Sequence, residues 1–482
     1  MQSSLIIYLL ISLLTLDAPK KSELDVAYER TAAALEKYPS AKNFERALDA
    51  AYRVDQWQRA AAFAQQAYER MPRNANLYGR IARALWRAGE IEKAEEVAEK
   101  IPPDTTDPVA VSMQVLIAMS HGKHEHAIRR ADRLAGLKGL TGADYGLLVN
   151  ASFFASRFDG LAMMIREALE KVDPKHGYPE MYLQENLEGM AEFLDEVGTA
   201  PMNQVRTFGQ ARMPVSTLNL PMCEVMINGK GPYRMVVDTG GSVLLSIDTE
   251  VAKETGLKLY APASVRGVSG VAETHQAIVD DLAIGEIRVH RAMTRVFDIG
   301  KSLMYSADGI LGTGMFSDAR MTMDFENGQL VVQQPASGGA PGHEVPIRIV
   351  ADAKILGLID VNGRRAVGLF DSGADAVAVA PTFLKKAFPN SEIMEVDVGA
   401  IGVGNGELPK IALGPGIELK LPGKTYPSIS GIGLDILDTT LGPIIGVQAD
   451  VLIGMPVFRE LRTCTVDFPS SRMWVEWLGD GE

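Results

Sequence analysis

Two patterns of apolar positions divide the chain. Between residues 24 and 194, apolar side chains recur at helical spacing among Ala, Glu, Arg and Lys, and Pro or Gly stand mainly at breaks. After Val197, short β-branched runs alternate with turn sequences such as Asn228-Gly229. The sequence therefore predicts a multidomain protein in which an N-terminal all-α region is followed by a mainly β region.

The helical region repeats itself with a period of thirty-four residues, and Ala127 and Ala131 extend the pattern weakly. The matched residues are Phe44, Ala47, Ala51, Ala60, Ala64 and Ala67 in one copy and Tyr78, Ile81, Leu85, Ala94, Ala98 and Ile101 in the next. This spacing resembles the tetratricopeptide repeat (TPR), in which each repeat is a pair of antiparallel helices. We expect a TPR-like domain over 21–200 that docks a peptide or protein, or that serves as a packing platform.

The β region is duplicated. Its paired landmarks are Asp238-Thr239-Gly240 with Asp371-Ser372-Gly373, 307–316 with 449–458, and Asp324-Phe325 with Asp467-Phe468. A strand and a turn precede the first landmark in each copy, so four features recur in the same order. This order predicts two homologous lobes, lobe 1 over 213–336 and lobe 2 over 343–482, joined by the Gly/Pro-rich stretch 335–342.

Asp238 and Asp371 are the candidate catalytic residues. Each follows apolar residues and precedes another apolar stretch, so each enters the interior of a sheet. A buried carboxylate is costly unless it is hydrogen-bonded or shares a proton. Two lobes related by an internal two-fold axis would bring the acids together, where one proton is held between them. Such a pair combines a general base with a general acid.

Thr239 and Ser372 supply hydroxyl groups that can lock the paired loops, and Gly240 and Gly373 permit a tight backbone. Together with the hydrophobic-hydrophobic-Gly segment later in each lobe, these motifs resemble the pepsin/retropepsin aspartic peptidases. The resemblance implies a bilobed acid-protease fold and an endopeptidase with a water-activating Asp dyad, without cofactor, metal or covalent intermediate. Gly241 departs from the family pattern, in which Ser or Ala is usual, and is expected to loosen the first loop.

Each lobe also contains a Gly-rich hairpin that resembles the flaps of this family, which close over bound peptide. The candidate flap residues are Val268, Ser269 and Gly270 in lobe 1 and Val403 and Gly404 in lobe 2. Ordinary β-hairpin turns are the alternative. Neither segment contains the Tyr of pepsin-like flaps, so pepsin-type substrate preferences are not transferred. Two flaps and two similar lobes favour a symmetric, retropepsin-like arrangement.

Two further pairs of acids recur in both lobes, Asp308 with Asp450 and Asp324 with Asp467. Neither pair is followed by a hydroxyl residue and Gly, as the loops of an Asp dyad are. An Asp-Phe sequence at a strand end is typical of a turn anchor. We therefore expect structural rather than catalytic roles for these four residues.

Cysteine and histidine provide little further chemistry. The two cysteines, Cys223 and Cys464, are either buried free thiols or one disulfide bridge. His121, His124 and His126 cluster in a turn between two predicted helices, either as a solvated loop or as a metal site. We favour the free thiols and the solvated loop.

Charge and the N-terminal segment limit the partners and the compartment. The net charge of −13, without a basic cluster, argues against nucleic acid as a partner. The apolar run at 5–16 is too short for a comfortable membrane span, so residues 1–20 are expected to be a signal peptide or an N-terminal anchor. We expect export to a periplasmic or extracellular site, with membrane attachment only if this segment is uncleaved.

These features favour an aspartic endopeptidase whose helical repeats dock a protein or peptide substrate or a protein partner. The alternative is a catalytically silent peptide- or protein-binding protein that uses the same cleft and repeats. Degenerate copies of an aspartic protease lobe usually lose an acid or a loop glycine. Both acids and both loop glycines are present in this sequence.

Overall fold

The computed structural model describes residues 23–172, 187, 189–216, 220–241, 244–260, 262–267, 270–299, 307–388, 394–396, 411–413 and 416–479. Residues 1–20, for which a signal peptide or anchor is predicted, lie outside these ranges. Among the described helices, none is long and apolar enough to cross a membrane.

Ten α-helices lie in the described chain before the first strand. They are α1 (Glu23–Lys37), α2 (Ala41–Arg53), α3 (Trp57–Arg70), α4 (Ala75–Arg87), α5 (Ile91–Ala98), α6 (Pro108–Ser120), α7 (His124–Ala135), α8 (Gly142–Phe154), α9 (Leu161–Lys171) and α10 (Met190–Val197). Helices α2, α4, α6 and α8 pack on one another in succession, as expected of stacked repeats. All apolar positions of the thirty-four-residue pattern are buried, which confirms the helical repeat.

Local sequence fixes where these helices begin. The side chains of four residues accept a hydrogen bond from the first turn of the following helix; they are Ser40, Asn74, Asp107 and Thr141. Close packing then sets the stack. A Cβ atom added to Gly79 of α4 would lie 2.6 Å from the Cα of Ala110 in α6, so only Gly allows this approach.

The strands of lobe 1 follow the helices. They are β1 (Gln204–Thr207), β2 (Gly209–Arg212), β3 (Met222–Ile227), β4 (Lys230–Asp238), β5 (Leu245–Asp248), β6 (Pro262–Gly267), β7 (Gly270–Ile284), β8 (Ile287–Phe297), β9 (Gly309–Gly312), β10 (Arg320–Asp324) and β11 (Gln329–Gln333), with helix α11 (Thr249–Thr255) after β5. Eight of them form a sheet in the order β1-β8-β5-β9-β4-β3-β7-β6. β1 and β2 precede residue 213, where we predicted lobe 1 to begin; they are short and largely polar, so their strand pattern is weak.

Lobe 2 contains thirteen described strands and three short helices. They are β12 (His343–Val345), β13 (Ile347–Val350), β14 (Lys354–Val361), β15 (Arg364–Phe370), β16 (Val377–Val379), β17 (Met394–Val396), β18 (Ile411–Leu413), β19 (Ile417–Leu421), β20 (Lys424–Ile429), β21 (Gly431–Leu434), β22 (Val451–Ile453), β23 (Leu461–Asp467), β24 (Arg472–Trp477), α12 (Pro381–Ala387), α13 (Gly442–Ile445) and α14 (Met455–Phe458). A ten-stranded sheet has the order β17-β18-β21-β16-β22-β15-β14-β19-β20, with β13 paired to β14.

The strand pairings repeat between the lobes. In lobe 1, β4 pairs in parallel with β9, and β5 pairs antiparallel with β9 and parallel with β8. In lobe 2, β15 pairs in parallel with β22, and β16 pairs antiparallel with β22 and parallel with β21. The duplication that is visible in the sequence is therefore a duplication of topology.

A third sheet joins the lobes, in the order β12-β24-β23-β10-β11-β2. At its centre β10 and β23 pair antiparallel, so that Thr322 faces Thr465 and their hydroxyl oxygens lie 2.9 Å apart. These two residues each lie two positions before the Asp of the Asp-Phe landmark. Equivalent residues of the two lobes therefore meet at the centre of this interlobe sheet, which is where an internal two-fold axis passes.

The helical repeat region packs against lobe 2 through a partly buried charged contact. The Arg348 guanidinium donates to both carboxylate oxygens of Glu95 (2.5 and 2.7 Å), and His121 Nε2 lies 2.9 Å from Glu95 Oε1. Burial raises the pKa of Glu95, but the hydrogen bonds from Arg348 and His121 outweigh it and hold this pKa at about 2. The repeats and the lobes also share one hydrophobic core. The helical region is therefore fixed to the β region.

Candidate active site

Asp238 and Asp371 lie at equivalent places, where a buried strand ends in a Gly-containing loop. Asp238 is the last residue of β4 and is the register partner of Gly312 in β9. Asp371 follows β15 directly, and its N–H donates to the carbonyl of Ile453 in β22 (2.9 Å). The hydrophobic-hydrophobic-Gly segments thus support the first acid loop (238–241) and the second acid loop (371–374).

Thr239 and Ser372 tie the two acid loops together. The Thr239 N–H donates to Ser372 Oγ (3.0 Å), and the Ser372 N–H donates to Thr239 Oγ1 (2.9 Å). Each hydroxyl then donates to a strand carbonyl of the opposite lobe, Thr239 to Phe370 (3.0 Å) and Ser372 to Val237 (2.8 Å). Because both side chains are buried and fully hydrogen-bonded, the loops are fixed relative to each other.

The same arrangement brings the two carboxyl groups together. A Cβ atom added to Gly240 would lie 2.5 Å from Asp371 Oδ1, and one added to Gly373 would lie 2.6 Å from Asp238 Cγ. Each Gly therefore admits the carboxyl group of the opposite lobe. The two carboxyl groups are therefore neighbours, and burial together with the charge of Asp238 raises the pKa of Asp371, an arrangement in which one proton is held between the two acids.

Burial and neighbouring groups act on the carboxyl group of Asp371. Burial of the carboxyl group, followed by the neighbouring Asp238, raises the pKa of Asp371 well above its ordinary value. The Gly373 N–H donates to Asp371 Oδ1 (3.0 Å) and acts in the opposite direction. Asp238 Oδ1 is buried and accepts no hydrogen bond from the described residues. Asp371 therefore keeps its proton to a higher pH than an ordinary carboxyl group.

Lys354 is a neighbour of the pair that the sequence did not reveal. It begins β14 of lobe 2, is only 8% exposed, and donates from Nζ to the carbonyls of Gly240 (2.5 Å) and Gly241 in the first acid loop. It also lies close enough to Asp371 to lower the pKa of that carboxyl group. The available signal in the sequence was a lysine at the start of a mostly apolar strand.

The candidate flaps lie partly outside the described residues. In lobe 1, β6 and β7 form a hairpin whose last pair joins Gly267 and Gly270, while Val268 and Ser269 lie outside the described chain. In lobe 2, β17 and β18 pair antiparallel, and Val403 and Gly404 fall in the connection between them, which is likewise not described. Antiparallel strands therefore flank each predicted flap position, and the flap residues other than Gly270 lie outside the described chain.

Asp308 and Asp450 anchor the strands that lead to the dyad. Asp308 Oδ2 accepts a hydrogen bond from the Arg234 N–H (2.7 Å), and Asp450 Oδ2 accepts one from the Val367 N–H (2.9 Å). Arg234 and Val367 each lie four residues before a dyad Asp. Burial raises the pKa of Asp450 to about 7, although the Val367 N–H opposes this shift.

The Asp-Phe landmarks are turn anchors. Asp324 Oδ1 accepts a hydrogen bond from the Asn327 N–H (2.9 Å), and Asp467 Oδ1 accepts one from the Ser470 N–H (3.2 Å). Asp467 is also paired with Arg320 in the interlobe sheet, where both side chains are buried. Each acid therefore fixes a turn in its own lobe.

The remaining candidate groups have structural surroundings. Cys223 and Cys464 are buried free thiols, and burial raises the pKa of each to about 12. His121 bonds to Glu95, and the ring of His124 stacks on Phe154. No cluster of three or more metal-ligating side chains occurs among the described residues.

Comparison with known proteins supports both regions. An aspartyl protease family model matches residues 223–315, and a tetratricopeptide repeat model matches residues 51–114. The crystal structure of a retropepsin-like aspartic protease from Rickettsia conorii is similar over 27% of this chain and 94% of that chain, at 15% identity and a TM-score of 0.20, a level that does not bear on the fold. No curated protein matches the chain. The predicted succession of TPR-like helices and an aspartyl protease domain is confirmed.

Proposed function

We propose that this protein is an aspartic endopeptidase in which Asp238 and Asp371 activate water for hydrolysis of a peptide bond. The observation that carries this proposal is the reciprocal locking of the acid loops by Thr239 and Ser372, which holds two neighbouring carboxyl groups at the junction of the lobes. A structural role for a buried acid pair would be served as well by apolar residues. Preorganised acids at a lobe junction are instead suited to chemistry.

The raised pKa of Asp371 gives the shared proton to that residue in the first step. Asp238, whose Oδ1 accepts no hydrogen bond from the described residues, takes a proton from a water molecule as the water oxygen attacks the carbonyl carbon. Asp371, whose carboxyl pKa is raised by burial and by the neighbouring Asp238, carries the shared proton and transfers it to the carbonyl oxygen as negative charge develops there. The product of this step is a tetrahedral diol.

The second step reverses the proton transfers. Asp238 now carries the proton taken from water and delivers it to the amide nitrogen, while the C–N bond breaks. Asp371 recovers the hydroxyl proton as the carboxylic acid forms. Both acids return to their starting protonation states, and the reaction consumes one water and one peptide bond.

We also infer that the helical repeats dock the substrate or a protein partner. A groove of about 570 Å³ lies between α1 and α2 and is lined by Arg30, Arg46 and Arg53. These guanidinium groups are exposed, and no ion pair joins them to a described carboxylate. Their charge favours an acidic segment of a protein as the occupant.

Substitution of the two acids tests the activity. Asp238→Asn and Asp371→Asn should each reduce kcat on an unfolded protein substrate by about 10³-fold or more, since each removes one proton-transfer group. Asp308→Asn, which alters the strand anchor of lobe 1, is the matched control and should retain activity.

Two outcomes would overturn the proposal. Proteolysis that persists in both Asn variants would show that another site carries it. A wild-type protein that binds a statine-type transition-state mimic, yet cleaves no member of a peptide library, would establish instead the catalytically silent peptide-binding protein.

A further inference from the structure

Lys354 is a buried cation that bridges the lobes. Its Nζ donates to the carbonyl of Gly240 at 2.5 Å and to that of Gly241, more than one hundred residues earlier in the chain. The side chain is 8% exposed and forms no ion pair with a described carboxylate. A buried ammonium group that is satisfied mainly by backbone carbonyls is costly. A role in holding the lobes alone would not require a charge.

The loop that Lys354 binds is tightly packed. A Cβ atom added to Gly241 would lie 3.1 Å from both the carbonyl oxygen of Asp238 and the Cα of Gly312. The sequence led us to expect a loose first acid loop at this Gly. The structure instead shows a close approach of the backbone at Gly241. Lys354 in addition binds the carbonyl groups of Gly240 and Gly241.

Among the described residues, no lysine or arginine side chain donates to a carbonyl of the second acid loop. The carbonyl of Ala374, the counterpart of Gly241, accepts a hydrogen bond from the Met455 N–H of its own lobe (2.8 Å). The two acid loops are therefore held by different means, one by backbone within its lobe and the other by a lysine from the opposite lobe. This difference introduces a single positive charge beside an otherwise symmetric acid pair.

We propose that Lys354 is a positioning residue that fixes the first acid loop and supplies a positive charge that sets the pH range in which the dyad holds one proton. This inference rests on the proposed protease function. Lys354 would not transfer a proton itself, because both of its described hydrogen bonds are to backbone carbonyls.

The charges around Asp371 define the direction of this effect. Burial and Asp238 raise the pKa of Asp371, whereas Lys354 and the Gly373 N–H lower it. Asp238 and Lys354 are the charged side chains that influence this carboxyl group among the described residues. Removal of the Lys354 charge should therefore raise the pKa values of the dyad, since a cation favours the ionised form of a nearby carboxyl group.

Three substitutions separate the charge from the hydrogen bonds. Lys354→Gln keeps a donor without the charge, Lys354→Arg keeps both, and Lys354→Met removes both. The readout is the pH dependence of kcat/KM on a peptide substrate. Both limbs of the profile should move up by roughly one pH unit in the Gln and Met variants, in line with the effect of an adjacent opposite charge. The Arg variant should keep the wild-type limbs.

The loop contacts add a second expectation. Lys354→Met should also lower kcat at its own pH optimum, with little change in KM, because the loop carbonyls lose their donor. Wild-type limbs in Lys354→Gln, or an equal shift in Lys354→Arg, would overturn the charge role. If Lys354→Met does not fold, the Gln and Arg variants still decide the question.

An experiment without turnover separates this inference from the protease function. The folded-state pKa of Asp371 is raised, so the stability of the protein should fall as pH rises from the unfolded pKa of about 4 to the folded pKa. In Lys354→Gln this fall should extend roughly one pH unit higher, measured by denaturant unfolding at each pH. In the Asp371→Asn background, Lys354→Gln should not extend the pH range over which stability falls. If the range is still extended there, the effect belongs to a titrating group other than Asp371. A protein without protease activity that still shows the Asp371-dependent extension would retain the electrostatic inference and lose only the proposed chemistry.

Discussion

The two lobes share one topology and differ in what holds and surrounds their acids. Both strands that lead to a dyad Asp are anchored by an Asp side chain, and both loops exchange hydroxyl–amide hydrogen bonds. Lys354 binds the first acid loop, whereas burial and the neighbouring Asp238 raise the pKa of Asp371 after the second strand. The shared topology brings the acids together, and the local contacts determine the charge and burial around each of them.

The lobes also differ in their contact with the helical repeats. Lobe 2 is joined to the repeats by the Arg348–Glu95 pair, and Arg87 of α4 donates to the carbonyl of Gly442. Lobe 1 meets the last described helix of the repeat region, where Arg291 donates to the carbonyl of Val197 (2.8 Å). The repeats are thus part of the same folded unit as the acid pair, which favours substrate docking at a fixed distance from it.

The largest effect is expected from the hydroxyl groups that lock the loops. Thr239→Val removes the hydrogen-bond partner of the Ser372 N–H and of the Phe370 carbonyl. Ser372→Ala removes the partner of the Thr239 N–H and of the Val237 carbonyl. At about 1–3 kcal/mol for each unsatisfied buried group, each variant should lose roughly 4 kcal/mol of unfolding free energy. Urea unfolding measures this, and Thr239→Ser is the conservative control.

This pair of variants also tests how equal the lobes are. If both loops depend on the exchange alone, the two losses should be similar. Because Lys354 also binds the first acid loop, we expect that loop to stay ordered in either variant. The double variant Lys354→Gln/Ser372→Ala should then lose more unfolding free energy than the sum of the losses in the two single variants. Strict additivity would show that the lysine and the hydroxyls act independently.

A smaller effect, dependent on pH, is expected at the strand anchors. The folded-state pKa of Asp450 is about 7, above its unfolded value, so the folded state binds more protons between about pH 4 and 7. Its contribution to stability is therefore lost as pH rises through this range. Asp450→Asn should flatten the dependence and stabilise the protein above pH 7 by at most about 4 kcal/mol.

Asp308→Asn is the matched comparison for that variant, because Asp308 makes the same backbone contact in lobe 1. Comparison of the two variants shows whether the flattening follows from the burial of the Asp450 carboxyl group. An equal flattening in both variants would contradict the assignment of the effect to Asp450.

The smallest effect is expected at the groove of the helical repeats. Arg46→Glu with Arg53→Glu should lower kcat/KM for a protein substrate with an acidic segment by several-fold, and leave a short peptide substrate unaffected. Lys42→Glu, on the same helix but outside the groove lining, is the control. An equal loss on the short peptide would place the effect at the acid pair instead of the groove.

Much of this arrangement could be read from local sequence. The thirty-four-residue period identified the buried positions of the repeats, because helix contacts in a stack depend on residues that recur at fixed spacing. The duplicated landmarks identified the two acid loops, because each lobe builds its loop from neighbouring residues. Strands β1 and β2 were missed, since short edge strands with polar residues carry little periodicity.

The sequence by itself determined the two kinds of domain, the duplicated lobes and the identity of the paired acids. Tertiary structure alone decided that Lys354 reaches the first acid loop, that Glu95 binds Arg348, and that Asp371 holds its proton more strongly than an ordinary carboxyl group. The physical reason is the distance along the chain over which residues act. Helices, strands and loops depend on residues that are near in sequence, whereas the burial and the charge at a site depend on residues that are far apart in the chain.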